Sequence, residues 1–206
     1  TESQLRLLAE KDRPASSSTS EEGVLGDILT DVQIKQVFQG TVIVGDSITE
    51  SIAEYGFLDT SIVVAKLGLR IDAADEQIST AISLNPSVFF LSFGANDLEI
   101  YNGDSSAFIA AYKEKIDQIK AALPDTPIYI NSILPIQQSA IDLSPALAYY
   151  DSFNQALASF CEESGCTFID DSFLVDENMY EPDGEHMVYS YYPKWLTYMA
   201  ERAGLV

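Results

Sequence analysis

Five short apolar runs punctuate the chain from residue 41 onward. They are TVIVG (41–45), SIVVA (61–65), SVFFLSF (87–93), PIYINSI (127–133) and CTFID (166–170). Their apolar residues are nearly continuous rather than alternating, which is typical of strands buried on both faces of a parallel sheet. These runs therefore predict five β-strands.

Segments with apolar residues at helical spacing lie between and after these runs. The spacing predicts helices over 72–84, 105–123, 146–163 and 193–203. In the second of these, one face carries Phe108, Ile109, Tyr112, Ile116 and Ile119. Strands that alternate with helices indicate βαβ units and a doubly wound sheet. The fold class expected is α/β, namely a flavodoxin-like three-layer α/β/α arrangement around a five-stranded parallel sheet.

The front of the chain differs in composition from the rest. Residues 1–12 are polar, and 13–23 (RPASSSTSEEG) are rich in serine, as flexible linkers are. We expect residues 1–23 to be a flexible tail or linker and 24–206 to be the folded domain. Because the chain starts at Thr1 without an apolar signal core, we expect a trimmed product located outside the cytoplasm. The front piece is then a tether to the cell surface; a cloning remnant or a disordered terminus is the alternative.

The charge of the chain narrows the range of partners. Lys and Arg total 11 against 32 Asp and Glu, which gives a formal net charge of −21. Such a surface repels phosphate backbones and anionic membranes, so we expect no nucleic-acid partner. No apolar run approaches the roughly 20 residues that span a bilayer, so we also expect no stable membrane insertion. Neutral substrates such as sugars and small esters are compatible with this charge.

The metal-ligating residue types are few. Cys161 and Cys166 have four residues between them, and they either close a small disulfide loop or remain two thiols. With one histidine and no second cysteine pair, we expect no zinc site. The acidic segment 170–185 lacks the spaced ligands of a calcium-binding EF-hand loop. The sequence thus predicts neither a metal nor another cofactor.

Candidate chemistry follows the predicted strands, because ligands in such sheets bind beyond the carboxyl ends of the strands. Asp46 and Ser47 follow the first strand, and Ser47 with Glu50 fits the capping box S-x-x-E at a helix start. A serine becomes a nucleophile only when a base removes its proton and a third group orients that base. His186, the only histidine, lies in the long segment after the fifth strand, with Asp183 three residues before it. These two residues are the candidate base and orienting acid.

Acyl transfer also requires hydrogen-bond donors directed at the oxyanion. The Ser47 backbone N–H lies at a predicted helix N-terminus, which favours negative charge. Gly68 and Asn96 follow the second and third strands and can supply a backbone N–H and a side-chain amide. Each of these two residues has a simpler interpretation on its own, as a turn glycine and an Asx-turn.

Four blocks occur in the same order as in a known family. GDS (45–47), the glycine at 68, G-x-N-D (94–97) and D-x-x-H (183–186) resemble the SGNH hydrolase family, also called GDSL esterases or lipases. The resemblance extends from about residue 41 to 200. It implies a serine hydrolase with catalytic residues Ser47, Asp183 and His186, and with an oxyanion hole formed by Ser47, Gly68 and Asn96. Asp46, Gly94 and Asp97 take supporting roles, in which the two aspartates fix the nucleophile turn and the loop that holds Asn96.

One position departs from the family pattern. The usual first block has a glycine four residues after the serine, whereas this chain has Ser51. We expect a differently shaped pocket wall beside the nucleophile, with catalysis retained.

The resemblance implies an esterase or acylhydrolase that acts through an acyl-enzyme. We expect it to cleave short-chain esters, acetyl above all, because no long apolar insertion forms a lid over fatty chains. A carbohydrate ester is a candidate substrate, since several aromatic residues can offer faces to sugar rings. These are Tyr101, Tyr149, Tyr150, Tyr180, Tyr189, Tyr191, Tyr192 and Trp195.

Two alternatives remain open at this point. An O-acetyltransferase acting on a cell-wall or other glycan would use the same residues and the same acyl-enzyme. A flavin- or phosphate-binding module of the same fold would use the hydroxyls of Ser47, Thr49 and Ser51 at the helix start. Against the second alternative, Asp46 and Glu50 would flank the phosphate, and the chain has no glycine-rich phosphate-binding motif.

Overall fold

The computed structural model describes residues 23–206 of the chain. Five strands pair in parallel in the order β2-β1-β3-β4-β5. Their bounds are β1 Thr41–Gly45, β2 Val63–Ala65, β3 Val88–Ser92, β4 Ile128–Asn131 and β5 Thr167–Ile169. This order is that of flavodoxin-like sheets, so the predicted fold class is confirmed.

Helices cover both faces of the sheet. They are α1 Asp31–Val37, α2 Ser47–Glu54, α3 Asp75–Ser83, α4 Ala95–Tyr101, α5 Ser105–Ala122, α6 Gln138–Leu143, α7 Tyr150–Ser164 and α8 Tyr191–Arg202. Helices α3, α5 and α7 pack against one face, and α1, α2 and α8 pack against the other. Short 3-10 helices lie at Ile71–Ala73, Pro145–Tyr149, Ser172–Leu174 and Glu177–Met179.

The strands are apolar throughout because each contributes to two cores. Val42 and Val44 of β1 face α3, α5 and α7, whereas Ile43 between them faces α1, α2 and α8. Phe89 and Phe90 of β3 divide in the same way, and both are fully buried. Each such side chain contributes about 1.5–3 kcal/mol by leaving water. The continuous apolar runs of the sequence follow directly from this two-sided burial.

The four predicted helices occur where they were expected, but two of them have a 3-10 segment where the first α-helical turn was predicted. The helix expected from residue 72 is preceded by the 3-10 turn Ile71–Ala73 and begins at Asp75. The helix expected from residue 146 begins as the 3-10 segment Pro145–Tyr149 and becomes α-helical at Tyr150. In each case the apolar spacing continues through the tighter turn, so periodicity alone does not mark the change.

The predicted tail, residues 1–23, lies outside the described residues except for Gly23. Within residues 23–206, no helix combines the length and the apolar character needed to cross a membrane. Both cysteines are free thiols, with Cys161 buried at the end of α7 and Cys166 half-buried. Burial, and secondarily the neighbouring Cys166, raises the pKa of the Cys161 thiol to about 12.

Candidate active site

The turn between β1 and α2 places Ser47 at the carboxyl end of the sheet. Asp46 is the N-cap of α2, and its Oδ1 accepts a hydrogen bond from the Ile48 N–H at 3.1 Å. The predicted capping box is therefore wrong, because the cap is Asp46 and Ser47 is the first helical residue. An aspartate is as good an N-cap as a serine. The Ser47 hydroxyl is consequently left available for another partner.

Gly45 allows this turn to pack tightly. A Cβ at this position would lie 2.1 Å from Thr49 Oγ1 and 2.4 Å from the Ser92 carbonyl oxygen. Both distances are far below van der Waals contact, so only glycine fits between α2 and β3. The glycine thus brings the start of α2, and with it Ser47, close to the neighbouring strand.

The segment that carries His186 is a narrow loop closed by backbone pairing. Tyr180 and Met187 form an antiparallel bridge, and the Glu181 N–H donates to the His186 carbonyl oxygen at 2.8 Å. Gly184 lies within the loop with φ +77°, a conformation that glycine adopts without strain. The loop thereby holds Asp183 and His186 side by side.

Ser47, His186 and Asp183 form a hydrogen-bonded row. The Ser47 Oγ lies 2.9 Å from His186 Nε2, and His186 Nδ1 lies 2.6 Å from Asp183 Oδ2. The other Asp183 oxygen, Oδ1, accepts from the backbone N–H groups of Glu185 and His186, each at 3.0 Å. When the imidazole donates from Nδ1 to the carboxylate, its Nε2 is free to accept the serine proton.

The electrostatics of Asp183 favour its ionised form. Burial by itself raises the pKa of this carboxyl, but the hydrogen bonds from the Glu185 and His186 N–H groups and from the imidazole outweigh it. The pKa of Asp183 is lowered from its ordinary value as a result. A carboxylate in this position fixes the orientation of the ring and stabilises its protonated form.

Three N–H donors follow the adjacent strands β1, β2 and β3. The Ser47 N–H is among the first N–H groups of α2, which have no carbonyl partner within the helix. Gly68 lies in the exposed turn after β2 with φ +70°. Asn96 is half-buried in the first turn of α4, and its Nδ2 makes one long hydrogen bond, 3.4 Å, to the Leu69 carbonyl oxygen. Its second amide hydrogen is not used by this bond.

Gly94 and Asp97 hold the neighbouring loops. Gly94 has φ +145°, and a Cβ there would lie 2.3 Å from Ile133 Cγ1, so no other residue fits. Asp97 is fully buried, and its Oδ1 accepts from the Ile71 N–H at 3.1 Å. This contact joins α4 to the segment that follows Gly68. Burial raises the pKa of Asp97 to about 7, against the opposing effect of that hydrogen bond.

Other hydroxyls near the α2 start do not face an open site. Thr49 is fully buried, and Ser51 Oγ donates to the Ser47 carbonyl oxygen at 3.1 Å within the helix. Burial raises the pKa of Asp46 to about 7, and the Ile48 N–H opposes this shift. This arrangement gives no support to a phosphate or flavin cradle built from Ser47, Thr49 and Ser51.

A row of buried polar side chains below the site was not predicted from the sequence. Ser92, Ser132 and Asp171 line a narrow cavity that also reaches Asp46 and Trp195. Ser132 and Asp171 follow β4 and β5, so the rule that led to Ser47 and Asn96 also applies to them. No feature of the sequence distinguishes Asp171 from its neighbours, because it lies in an acidic segment with the composition of a solvent-exposed loop.

The eight predicted aromatic residues divide into buried, half-buried and exposed groups. Tyr101, Tyr150 and Tyr180 are half-buried. Tyr191, Tyr192 and Trp195 belong to α8 and are buried against the sheet. Tyr149 and Tyr189 are 41% and 47% exposed, and Tyr189 lies three residues after His186. Exposed tyrosine faces available to a sugar ring are therefore fewer than the sequence indicated.

The sequence of this chain matches the model of a known protein family. The model of the GDSL-like lipase/acylhydrolase family matches residues 43–194, and the chain belongs to this family. A search of curated proteins finds no match.

The fold recurs in solved structures of low sequence identity. A GDSL-like lipase from Bacteroides thetaiotaomicron is 17% identical over 87% of this chain and 91% of its own, with a TM-score of 0.61. A lipase/acylhydrolase from Enterococcus faecalis is 15% identical over 79% and 94%, with a TM-score of 0.61. A carbohydrate esterase of family 3 from Talaromyces cellulolyticus is 16% identical over 79% and 95%, with a TM-score of 0.60. These similarities establish the shared fold.

Proposed function

We propose that this protein is a serine esterase that cleaves short-chain esters, acetyl esters of carbohydrates above all, through an acyl-enzyme. The observation that carries the proposal is the row Ser47–His186–Asp183, with contacts of 2.9 Å and 2.6 Å. A hydroxyl, an imidazole and a carboxylate in this order supply a nucleophile, its base and the group that orients the base. Membership of an acylhydrolase family supports the same reaction class.

In the first half of the reaction Ser47 Oγ attacks the ester carbonyl carbon. His186 Nε2 takes the serine proton, and Asp183 stabilises the imidazolium that forms. The carbonyl oxygen becomes an oxyanion, which accepts hydrogen bonds from the N–H groups of Ser47 and Gly68 and from the Asn96 amide. When the tetrahedral intermediate collapses, His186 gives its proton to the leaving alcohol, and the acyl group remains on Ser47.

In the second half water replaces the alcohol. His186 Nε2 takes a proton from water, whose oxygen attacks the acyl carbon. The same donors stabilise the second tetrahedral intermediate, and its collapse releases the acid and returns the proton to Ser47. A sugar hydroxyl in place of water would give O-acetyl transfer.

The surroundings of the site support the proposed substrate class. Gly68 and its turn are exposed, and Asp183 and His186 lie in a partly exposed loop. An open site of this kind accepts an acyl group on a bulky alcohol such as a sugar. Tyr189, three residues after His186, packs against Phe57 and Tyr55 and leaves 47% of its surface exposed, and this exposed part can contact a sugar ring.

The test is a series of p-nitrophenyl esters of increasing acyl length, run beside acetylated oligosaccharides. We expect the highest kcat/KM on acetyl esters, and loss of activity in Ser47→Ala by about 10⁴-fold or more. Ser159→Ala, a serine on the exposed face of α7, is the matched control and should retain full activity. Retained activity in Ser47→Ala would refute the mechanism. Acetate release that slows while an added oligosaccharide becomes acetylated would instead assign the transferase reaction.

A further inference from the structure

The His186 loop, residues 180–187, is closed at its base by the bridge between Tyr180 and Met187. The Met187 side chain is buried in the same core as α8, so the base of the loop is held in the protein interior. Pairing within the loop sets its shape. Its orientation relative to Ser47 depends on contacts with the rest of the molecule.

Two hydrogen bonds join the His186 loop to the β4–α6 segment, residues 132–137. At the base of the loop, the Tyr180 hydroxyl donates to the Pro135 carbonyl oxygen at 2.7 Å. At its tip, the Gln137 N–H donates to the Gly184 carbonyl oxygen at 3.0 Å. Gly184 is buried, and a Cβ on it would lie only 3.0 Å from Gln137 Cβ. The loop therefore rests directly on the β4–α6 segment at both its base and its tip.

The β4–α6 segment is itself held in place by Asn154 of α7. The Ile133 N–H donates to Asn154 Oδ1 at 2.7 Å, and Asn154 Nδ2 donates to the Ile133 carbonyl oxygen at 2.8 Å. The Ile133 side chain also packs against Gly94, in the turn that leads to Asn96. One segment therefore supports both the loop of the proposed base and the loop of a proposed oxyanion donor.

Of the two bonds between the His186 loop and this segment, the one from Tyr180 is made by a side chain. The bond at the tip joins two backbone groups and does not depend on side-chain identity. Tyr180 is half-buried, and a hydrogen bond away from bulk water is stronger than an exposed one. Tyr180 also pairs with Met187, the residue next to His186, so a shift of Tyr180 is passed to the backbone that carries the imidazole.

We propose that Tyr180 is a positioning residue, whose hydroxyl fixes the His186 loop on the β4–α6 segment and so sets the distance of the imidazole from Ser47. The inference rests on the proposed function, since it assigns Tyr180 a role in the geometry of that site. The hydroxyl bonds to Pro135 and acts on His186 through the backbone of the loop. Displacing a catalytic group by about 1 Å costs up to about 10²-fold in rate, so loss of this anchor is measurable.

Tyr180→Phe tests the inference, because it removes the hydroxyl and keeps the packing of the ring. The chain has one histidine, so protein labelled with ¹⁵N-histidine gives one set of imidazole resonances, those of His186. We expect the variant to shift or broaden these resonances in the absence of substrate. On p-nitrophenyl acetate, kcat should fall about three- to tenfold while KM changes by less than about twofold, since the bond at the tip and the bridge at the base remain. The matched control is Tyr198→Phe, at a buried tyrosine of α8 that packs against Phe173, and it should match the wild type in both measurements.

Wild-type resonances in Tyr180→Phe would overturn the inference, and a fall in kcat beside them would assign the hydroxyl to contact with the substrate instead. Shifted resonances with unchanged kcat would also overturn it, because the hydroxyl would then not set a distance that matters for the reaction. The resonances require no substrate, so they separate this inference from the proposed function. A wild type inactive on every ester, in which Tyr180→Phe still shifts the resonances, would refute the proposed function and uphold the anchoring of the imidazole.

Discussion

His186 Nε2 lies 2.9 Å from Ser47 Oγ, although the two residues are 139 positions apart in the chain. The contact arises because the β1–α2 turn and the loop before α8 both lie at the carboxyl end of the parallel sheet. A hydrogen bond over this separation requires the whole sheet to be assembled. The contact between Ser47 and His186 is therefore a product of the fold rather than of a local motif.

Replacing Asp183 by asparagine tests the orienting role of the carboxylate. The substituted amide would keep the size of the side chain but would lose the charge and could not favour the same imidazole tautomer. We expect Asp183→Asn to lower kcat by about 10³–10⁴-fold with little change in stability. The measurement is kcat on a p-nitrophenyl acetate assay, with Asp176→Asn in the same acidic segment as control. A loss below about tenfold would show that Asp183 does not orient His186.

Asn96→Ala removes the side-chain donor proposed for the oxyanion. We expect kcat to fall by about 10²–10³-fold while KM changes little, because the donor acts mainly in the transition state. The matched control is Asn178→Ala on an exposed 3-10 helix far along the chain from α4. A rise in KM at constant kcat would instead assign Asn96 to ground-state binding.

The buried carboxyls Asp46, Asp97 and Asp171 predict how stability depends on pH. Burial raises the pKa of each from its ordinary value of 3.8 to about 7. Between about pH 4 and 7 the folded protein keeps protons that the unfolded chain has lost, so the free energy of unfolding falls as pH rises. Each group contributes up to about 1.4 kcal/mol per pH unit in this window.

Urea unfolding at pH 5 and pH 8 measures the effect. The wild type should be less stable at pH 8, and Asp171→Asn, which cannot ionise, should lose less stability between the two values. Asp125→Asn, an exposed aspartate in the turn before β4, should keep the wild-type difference. Equal differences for wild type and Asp171→Asn would mean that Asp171 does not keep its proton in the folded state.

Tyr189 tests the preference for carbohydrate esters. We expect Tyr189→Ala to raise KM for an acetylated oligosaccharide by about three- to tenfold, which corresponds to loss of one aromatic stacking contact. Kinetics on p-nitrophenyl acetate should stay unchanged, because this ester has no sugar ring. Tyr149→Ala removes another tyrosine that is partly exposed and partly packed, and it is the matched variant. Equal effects on both substrates would point to a disturbed site rather than to a sugar contact.

The sequence predicted the sheet better than the helices. All five apolar runs contain a strand, because two-sided burial imposes a composition that is visible without knowing the fold. Helix α1 was missed, although Thr30 and Gln33 form a capping box that marks its start. Helices α4 and α6 are seven and six residues long, which is too short for periodicity to detect.

Candidate site residues could be predicted from the sequence where their spacing, or their position after a strand, identifies them. Contacts that depend on how the strands are arranged could not be predicted. Asp183 and His186 were predicted to interact because they are three residues apart. Ser47, Gly68 and Asn96 were predicted as site residues because they follow predicted strands. The cap was assigned to Ser47 instead of Asp46, because both residue types are good caps at adjacent positions. The hydrogen bond between Ser132 and Asp171 depends on the adjacency of β4 and β5, which local sequence does not encode.

The proposed mechanism makes Ser47 the nucleophile and His186 the base that activates it. Labelling with a fluorophosphonate, followed by intact mass measurement and peptide mapping, tests it most directly. We expect one adduct on the wild-type protein, located on Ser47, and no adduct on Ser47→Ala or on His186→Ala over the same time. An adduct on a different residue, or wild-type esterase activity that survives without labelling of Ser47, would contradict it.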